Sequence, residues 1–580
     1  MIRLFSLLLV HDNKIKMLML FNVLALIILV VLHHFMKKRH HKLWVGLCCI
    51  PLAVVLLFYA INAPGAVQDL FWQRHISFGI AALFILLWGL VTYFRGSFGV
   101  YTAFEFFVNT LLCGSVFLVT MVSDDIMNLG DYSKYGWTES VSKTIDQLEE
   151  SYVTRYWKDI DFEAMREKYL PLVEKAEKEN DEAAILELLY ELKYDLYDGH
   201  VWVIPYDIEG ESRATRDLYG NDFGLSLFRD NVGEVLAVLV EPGSEAEKNG
   251  IHNGTVVTRW NGVAIDDAVA EVKCIHPDNT FVYVENEDIF RPAFLAGHGE
   301  EKVEISFIAD DGTEKTAQLS SIGSYSQRLK NLIETVYSKN IFSSENYYAC
   351  MLDEECGYLR VQEEDYENDD YLYFIYSELS GENPKLYNEI RDKIQDLEDK
   401  GMKRLIIDLR NNGGGYANIS SCIASLFVDV EIVPAETYLI NEKFGLFRRS
   451  FEFGEALWSD IPITVIVNGE TCSAGDVLAY WLSRGDNTAL IGNTYQWGSS
   501  QATGGRCILT DGKIEFYYPI YPALTENNEP IAEPKSDRKS VVNLDYHITY
   551  SKEEVVELFS DSEGDHILEA ALEYVYSMEK

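Results

Sequence analysis

The chain has 580 residues and a formal net charge of −42, from 91 acidic and 49 basic residues. Such acidity argues against nucleic acid as a partner, because the phosphates would be repelled, and the length allows several domains. The charge is unevenly spread: residues 1–122 hold nine Lys or Arg and three Asp or Glu, and the remainder is strongly acidic.

The first part of the chain contains four apolar runs that are long enough to cross a bilayer. They cover residues 17–35, 43–63, 76–94 and 100–122. These runs predict a membrane region over 1–122, with the start at Met1 or Met17. The basic loop Lys37–Lys42 is expected to be cytoplasmic. That orientation predicts a multi-pass protein of the cell membrane, with its remaining domain on the extracytoplasmic side.

Two different modules follow the membrane region. Residues 135–204 carry apolar residues at helical spacing and predict a helical lead-in, in which Pro171 either kinks or breaks the second helix. Residues 219–318 predict a β-rich module that resembles a PDZ domain. The resemblance implies that a peptide C-terminus adds a strand, with its carboxylate near the loop of Phe223, Gly224 and Leu225. An inert spacer is the alternative.

Strands and helices alternate from residue 346 to 575, a pattern that favours an α/β core. The predicted strands are 357–361, 404–409, 463–467 and 488–492, and the predicted helices are 384–400, 417–427 and 474–485. The cysteines show no zinc-binding spacing, and the sequence indicates no metal site. Cys350 and Cys356 either form a disulfide in an oxidising compartment or remain free.

Two short segments of this core point to acyl transfer. Asp408–Gly415 ends a buried strand in consecutive glycines, which leaves backbone N–H groups bare. Asn468–Asp476 places Ser473 on a strand-to-helix turn. A serine raised on a turn beside free amides provides a nucleophile and an oxyanion hole. The alternative for Ser473 is an N-cap serine that only opens the helix.

Taken together, these segments resemble the tail-specific or C-terminal processing family of serine peptidases, over about 135–575. The resemblance implies a crotonase-like (ClpP-like) core with Ser473 as its nucleophile. It implies an oxyanion hole made by the backbone amides of Ala474 and of Gly413 or Gly414. It implies no metal and no organic cofactor, and a polypeptide as the substrate.

The catalytic base departs from the commonest pattern of this family, which is a lysine in a Gly-Lys-Gly turn. The corresponding stretch, Gly492–Gln501, has no lysine. The chain is therefore more similar to the tricorn-core branch, which uses a histidine and a glutamate. By that resemblance His200 is the base, a role that suits imidazole because its pKa lies near neutral. A second serine precedes the histidine in that branch, whereas this chain has Gly199.

The glutamate of that branch falls late in the chain, where Glu533 is the first choice and Glu529 the second. It would orient the catalytic groups or hold a positive charge, and a solvated loop acid is the alternative. Lys513 and Lys535 are possible substitute bases, although neither matches a motif.

The predicted fold class is N-terminal transmembrane helices followed by a soluble α/β crotonase-like core, with a helical lead-in and an inserted PDZ-like β-rich module. The predicted function is a membrane-anchored serine endopeptidase of extracytoplasmic polypeptides. The alternative is a catalytically inactive family member that acts as a peptide- or ligand-binding membrane sensor, which the missing lysine and Gly199 favour. The sequence leaves the oligomeric state open.

Overall fold

The computed structural model describes residues 129–337, 345–365, 384–428, 436–439, 446–449, 456–525, 527, 529–560 and 564–578. The helices are α1 (Trp137–Ser151), α2 (Phe162–Glu179), α3 (Glu182–Leu196), α4 (Glu211–Tyr219), α5 (Glu245–Lys248), α6 (Ile265–Ala270), α7 (Val284–Ala296), α8 (Ser326–Val336), α9 (Pro384–Asp399), α10 (Ala417–Ala424), α11 (Ala474–Leu482), α12 (Lys552–Leu558) and α13 (His566–Ser577), with a 3₁₀ helix at Thr510–Gly512.

The strands of the described residues belong to several sheets. They are β1 (Leu129–Asp131), β2 (Trp202–Pro205), β3 (Asn221–Asp222), β4 (Ser226–Arg229), β5 (Val235–Val238), β6 (Val257–Trp260), β7 (Val263–Ala264), β8 (Lys302–Ile308), β9 (Glu314–Ser320), β10 (Gly323–Ser324), β11 (Tyr347–Met351), β12 (Cys356–Val361), β13 (Arg404–Asp408), β14 (Glu436–Leu439), β15 (Leu446–Arg449), β16 (Ile463–Ile466), β17 (Thr488–Gly492), β18 (Ala502–Ile508), β19 (Ile514–Tyr521) and β20 (Tyr546–His547).

A six-stranded sheet in the order β11-β12-β13-β16-β17-β20 forms the centre of the fold. β11 is antiparallel to β12, and all other neighbours are parallel. β12 and β16 are buried along their whole length, as is usual for strands covered on both faces. Apolar residues of α9, α10 and α11 pack against one face of the sheet. Those of α12, α13 and the β-rich module pack against the other face.

The parallel pairing of β13 with β16 determines where the two motif segments lie. The register places Leu405 opposite Ile463 and Asp408 opposite Ile466. Neighbouring parallel strands end at the same edge of a sheet, which is where α/β proteins bind their ligands. The glycine segment after β13 and the serine turn after β16 therefore meet at this edge.

The helical lead-in packs against a second sheet, in the order β1-β18-β19-β2. Of the two alternatives for Pro171, a break does not occur, because α2 continues through this residue. The first helix of the lead-in, α1, ends at Ser151. Beyond that end, Tyr152 is buried and Tyr156 is 69% exposed.

The β-rich module contains the hairpin β4–β5 and a sheet in the order β7-β6-β8-β9. Phe223 and Leu225 of the predicted peptide loop are buried. Gly224 adopts a φ of 79°, and its N–H donates to Asp222 Oδ1 over 2.8 Å. One of the three predicted carboxylate-binding amides is therefore already occupied. The PDZ assignment stays a prediction.

The cysteines of the described residues are free thiols, including Cys350 and Cys356. The register of the β11–β12 hairpin places Cys350 opposite Tyr358, two residues beyond Cys356. The two thiols are thus not a facing pair, and the disulfide alternative is not realised.

The predicted fold class is wrong in its transmembrane component. No helix within the part of the chain that the structure describes combines the length and the apolarity needed to cross a bilayer. The longest of them, α2, has 18 residues and carries charged residues along its exposed face. The four predicted spans, between residues 17 and 122, lie outside the described residues. The described residues instead form an α/β fold around the six-stranded sheet, and the extracytoplasmic location stays a prediction.

A buried ion-pair cluster fixes the start of the glycine segment. The Arg410 guanidinium donates to both carboxylate oxygens of Asp565, each over 2.8 Å, and to Asp408 Oδ2 over 2.6 Å. Tyr358 donates its hydroxyl to the same Asp408 oxygen. Bidentate arginine–carboxylate pairs are geometrically specific. The cluster therefore joins the end of β13 to the start of α13.

We expect Asp408→Asn to lower the free energy of unfolding by about 3–5 kcal/mol, because Arg360 and Arg410 lose a buried counter-charge. Urea denaturation followed by circular dichroism measures this change. The matched control is Asp396→Asn, which removes a pair with Lys400 whose side chains are 62% and 56% exposed. That variant should change stability by less than about 1 kcal/mol. Equal effects of the two substitutions would contradict the role of the cluster.

Candidate active site

Ser473 occupies a strained turn between β16 and α11. Its φ and ψ are 58° and −117°, a combination that L residues rarely adopt and that is typical of functional sites. The Ser473 N–H donates to Asp476 Oδ2 over 3.1 Å, which fixes the turn. Because Ala474 is the first residue of α11, its N–H has no partner within the helix.

The glycine segment lies directly against this turn. Gly414 has a φ of 84°, and a Cβ added to it would lie 2.5 Å from Ser473 Cβ. The Gly414 N–H donates to Asn412 Oδ1 over 2.8 Å. In the described part of the chain, the N–H groups of Gly413 and Ala474 have no hydrogen-bond partner. These two amides are therefore free to receive an oxyanion, whereas Gly414 provides the close approach of the two backbones.

Side chains and backbone groups hold the two segments together. Thr471 donates its hydroxyl to the Leu409 carbonyl over 2.7 Å, and the Cys472 N–H donates to the Asn412 carbonyl over 3.0 Å. The Asn468 side chain accepts the N–H of residue 411 over 3.0 Å. The edge of the sheet is thus pre-organised for a ligand.

His200 lies in a tight aromatic pocket between α3 and β2. Its ring is 5.5 Å from the Trp497 ring and 5.9 Å from the Trp202 ring, measured between centroids. Gly199 has no room for a side chain, because a Cβ would overlap Trp497. Burial lowers the pKa of His200 to about 4, even though the Asp198 carboxylate opposes this shift. The imidazole is consequently neutral at physiological pH.

A buried lysine joins the residues around this pocket. Lys158 Nζ lies 3.1 Å from Asp198 Oδ2 and 2.8 Å from Glu533 Oε2, and all three side chains are fully buried. Tyr152 donates to Asp198 Oδ2 over 2.6 Å. Ser499 Oγ lies 2.7 Å from Asp198 Oδ1, 3.1 Å from Glu533 Oε1 and 3.3 Å from His200 Nδ1. We call Lys158, Asp198, Glu533, Ser499 and His200 the buried network.

The two carboxyl groups of the buried network differ in charge. Burial raises the pKa of Glu533 to about 8, although Lys158 opposes this. Burial also acts to raise the pKa of Asp198, but Lys158 and His200 hold it below its ordinary value. Burial likewise disfavours the Lys158 ammonium, yet the two carboxyl groups hold its pKa well above the ordinary value. At neutral pH the network thus contains a charged Lys158–Asp198 pair and a protonated Glu533.

Asp476 links the Ser473 turn to the buried network. Its Oδ2 accepts the N–H of Ser473 over 3.1 Å and that of Ser499 over 3.2 Å, and its Oδ1 accepts the Gly498 N–H over 3.0 Å. The described residues include no direct hydrogen bond between Ser473 and His200. Ser473 and His200 are therefore connected indirectly. Asp476 binds the N–H groups of Ser473 and Ser499, and the Ser499 hydroxyl contacts the His200 ring.

The other residues predicted to serve the site are two glutamates and two lysines. Glu533 lies within the buried network, whereas Glu529 is exposed in a turn. Lys513 pairs with Glu182 at the end of β19, and the exposed Lys535 lies over the Trp157 ring. Neither lysine belongs to the buried network.

Sequence reasoning missed Lys158, Asp198, Asp476 and Ser499. Asp476 and Ser499 lie inside Asn468–Asp476 and Gly492–Gln501, and Asp198 is two residues before His200, so their positions in the sequence were a usable signal. Nothing in the sequence around Lys158 marks it as buried.

A cavity of about 150 Å³ adjoins the Ser473 turn, through Cys472, and the Trp497 ring. Its lining residues are Asp278, Asn279, Thr280, Phe281, Asn286, Tyr337, Gly469, Glu470, Cys472 and Trp497. Among the described residues, no group of three or more His, Cys, Asp or Glu side chains is arranged to hold a metal ion.

Glu364 lies beneath the glycine segment. Its N–H donates to the Gly414 carbonyl over 2.9 Å, and its Oε1 accepts from Asn412 Nδ2 over 3.0 Å. Its Oε2 has no hydrogen-bond partner. Burial raises the pKa of Glu364 to about 8, against the effect of Asn412. A neutral carboxyl group thus supports the amide of Asn412.

We expect Gly414→Ala to lower the free energy of unfolding by roughly 2 kcal/mol or more. The cause is the left-handed φ together with the overlap of the new Cβ with the Ser473 turn. Gly413→Ala is the matched control, because nothing lies within 4 Å of the Cβ that it adds. Urea denaturation of both variants tests this, and a tolerated Gly414→Ala would contradict the described packing.

We expect Glu364→Gln to stabilise the folded chain relative to wild type, by an amount that increases as the pH rises. An unfolded glutamate ionises above about pH 4.3, whereas Glu364 keeps its proton in the folded chain up to about pH 8. Between these values the folded state binds more protons, so stability falls as pH rises. Glutamine cannot ionise and removes this loss.

Thermal melts of wild type and variant at about pH 5.5 and pH 8.5 measure the effect. The difference in Tm between Glu364→Gln and wild type should increase by at least ~2 °C between the two pH values. Glu363→Gln, at the exposed neighbouring position, should differ from wild type equally at both. A pH-independent difference for Glu364→Gln would mean that this carboxyl group is ionised in the folded chain.

Comparison with known proteins identifies the core. Residues 355–537 match the family described as Peptidase family S41. The chain is 32% identical over 117 residues to the carboxyl-terminal-processing protease of a Picosynechococcus species, which covers 20% of this chain and 27% of that protein. It is 26% identical over 262 residues to carboxy-terminal processing protease CtpA of Bacillus subtilis, which covers 45% of this chain and 44% of that protein. The chain thus spans less than half the length of these relatives.

A solved structure of a CPAF mutant has the same fold. It superposes with a TM-score of 0.50 over 77% of this chain and 98% of that one, at 14% sequence identity. Such low identity shows the fold alone. Residues 355–537 are thus similar to peptidase family S41, and the relatives named here are carboxyl-terminal processing proteases.

Proposed function

We propose that this chain is a serine endopeptidase that cleaves polypeptides through an acyl-enzyme. The observation that carries the proposal is the strained Ser473 turn, which has the free amides of Ala474 and Gly413 on one side. On its other side, one carboxylate connects the turn to the pocket of a neutral histidine. A nucleophile, a base and an oxyanion hole are the parts that acyl transfer requires.

In the proposed reaction, Ser473 Oγ attacks the carbonyl carbon of the peptide bond while His200 takes the hydroxyl proton. The two free amides donate hydrogen bonds to the oxyanion of the tetrahedral intermediate. His200 then returns the proton to the leaving amine, and the C–N bond breaks. Water releases the acyl group from Ser473 by the same steps in reverse order.

The buried network supports this role of His200. Its pKa of about 4 leaves the ring neutral at neutral pH but makes it a weaker base than free imidazole. The ionised Asp198 nearby stabilises the imidazolium once it forms, because an opposite charge favours the charged ring. The absence of a direct Ser473–His200 hydrogen bond in the described residues fits a ligand-free enzyme, since catalytic hydrogen bonds often tighten only when substrate binds.

The substrate would reach this site as an extended polypeptide. We extend the proposal to the β-rich module, where the loop of Phe223, Gly224 and Leu225 would hold a peptide C-terminus. The N–H groups of Phe223 and Leu225 have no hydrogen-bond partner among the described residues, which supports this part.

The second candidate is a binding protein of the same fold without catalysis. The pKa of His200, lowered by burial to about 4, favours it, because so weak a base accepts a serine proton poorly. In that case the 150 Å³ cavity beside the nucleophile turn would hold a ligand rather than part of a substrate.

Fluorophosphonate labelling of the full chain separates the two candidates. We expect wild type to label, Ser473→Ala not to label, and His200→Gln to label about 10²–10⁴-fold more slowly, the range that a general base supplies. Ser483→Ala, which removes the serine at the other end of α11, should label like wild type. Folded wild-type protein that stays unlabelled would exclude the peptidase and favour the binding protein.

A further inference from the structure

Ser499 is the hydroxyl group on which the hydrogen bonds around His200 converge. It is fully buried, and its Oγ has three polar neighbours in the buried network: Asp198 Oδ1 at 2.7 Å, Glu533 Oε1 at 3.1 Å and His200 Nδ1 at 3.3 Å. The proposed reaction gives this residue no role so far.

Counting protons assigns a direction to each of these contacts. A hydroxyl group donates one hydrogen bond and accepts two. Asp198 is the nearest neighbour, and Lys158 keeps it ionised, so it accepts the Ser499 proton. The remaining neighbours must therefore donate to Ser499 Oγ. Glu533 can do so because it is protonated at neutral pH, and His200 can do so only if its proton is on Nδ1.

The position of the histidine proton decides which ring nitrogen is basic. When Nδ1 carries the proton, the free electron pair of a neutral imidazole is on Nε2. We propose that Ser499 is a positioning residue, which holds His200 in the Nδ1–H tautomer and so leaves Nε2 to accept the proton of Ser473. This inference rests on the proposed function for the use of Nε2, whereas the tautomer itself is independent of catalysis.

The backbone places Ser499 for this role. Its N–H donates to Asp476 Oδ2, the same atom that accepts the Ser473 N–H. The nucleophile and the positioning hydroxyl thus share one anchor. A side chain at position 199, next to His200, could not supply this hydroxyl in place of Ser499. Its Cβ would overlap the Trp497 ring.

The first test measures the tautomer directly. Spectra of the full chain with ¹⁵N-labelled histidine report which nitrogen is protonated, and His200→Gln identifies the His200 signals by their loss. We expect Nδ1–H in wild type and a shift toward Nε2–H in Ser499→Ala. Ser500→Ala is the matched control, because Ser500 is equally buried but donates to the Ile531 carbonyl instead. An Nε2–H tautomer in wild type would overturn the inference, even if Ser499→Ala did not fold.

The second test measures the consequence for Ser473. We expect Ser499→Ala to slow fluorophosphonate labelling at least ~10-fold, and Ser499→Thr, which keeps the hydroxyl, to restore most of the rate. In the His200→Gln background, Ser499→Ala should have no further effect, because residues that act as a unit are non-additive. A purely structural role would instead give additive losses, which would overturn the inference.

The two tests separate this inference from the proposed function. Unlabelled wild type with a Ser499-dependent Nδ1–H tautomer would refute the peptidase but retain the hydrogen-bond assignment. Labelled wild type with an unchanged rate and tautomer in Ser499→Ala would refute the role of Ser499 alone.

Discussion

The arrangement of the site depends on a buried cation, the ammonium group of Lys158. It bridges Asp198, which precedes β2, and Glu533, which lies in the segment between β19 and β20. A charge of this kind is strongly unfavourable in the interior unless it is paired. Three segments that are far apart in the sequence must therefore dock together, and the position of His200 follows from their docking.

This cation also sets the protonation states around the histidine. One ammonium group can balance only one carboxylate, and the buried network contains two carboxyl groups, those of Asp198 and Glu533. Asp198 remains ionised, whereas Glu533 takes up a proton. The difference gives one group that accepts hydrogen bonds and one that donates, which is the combination that a hydroxyl between them can satisfy. Electrostatics and hydrogen bonding thus select one arrangement of protons.

The sequence predicted those features that depend only on residues close together in the chain. The strand before the glycines was predicted as 404–409 and is Arg404–Asp408. The turn at Ser473 followed equally from local patterns, since apolar runs, glycines and caps act over a few residues. Lys158 could not be found in this way, because its importance comes from burial against distant segments. Ser499 lies in the stretch that lacks the lysine, but its contacts with Asp198 and His200 come from segments far away in the sequence. The transmembrane component of the fold class came from hydropathy alone and was wrong.

The ion pair between Arg410 and Asp565 has a consequence for the order of events during synthesis. A ribosome that adds about 5–20 residues per second makes the arginine well before its partner. The glycine segment after β13 therefore lacks its anchor until the start of α13 has emerged and folded back. Glu533 is likewise made hundreds of residues after Lys158 and Asp198. A nascent chain would therefore carry an unfinished site until these late segments have been made and have folded back.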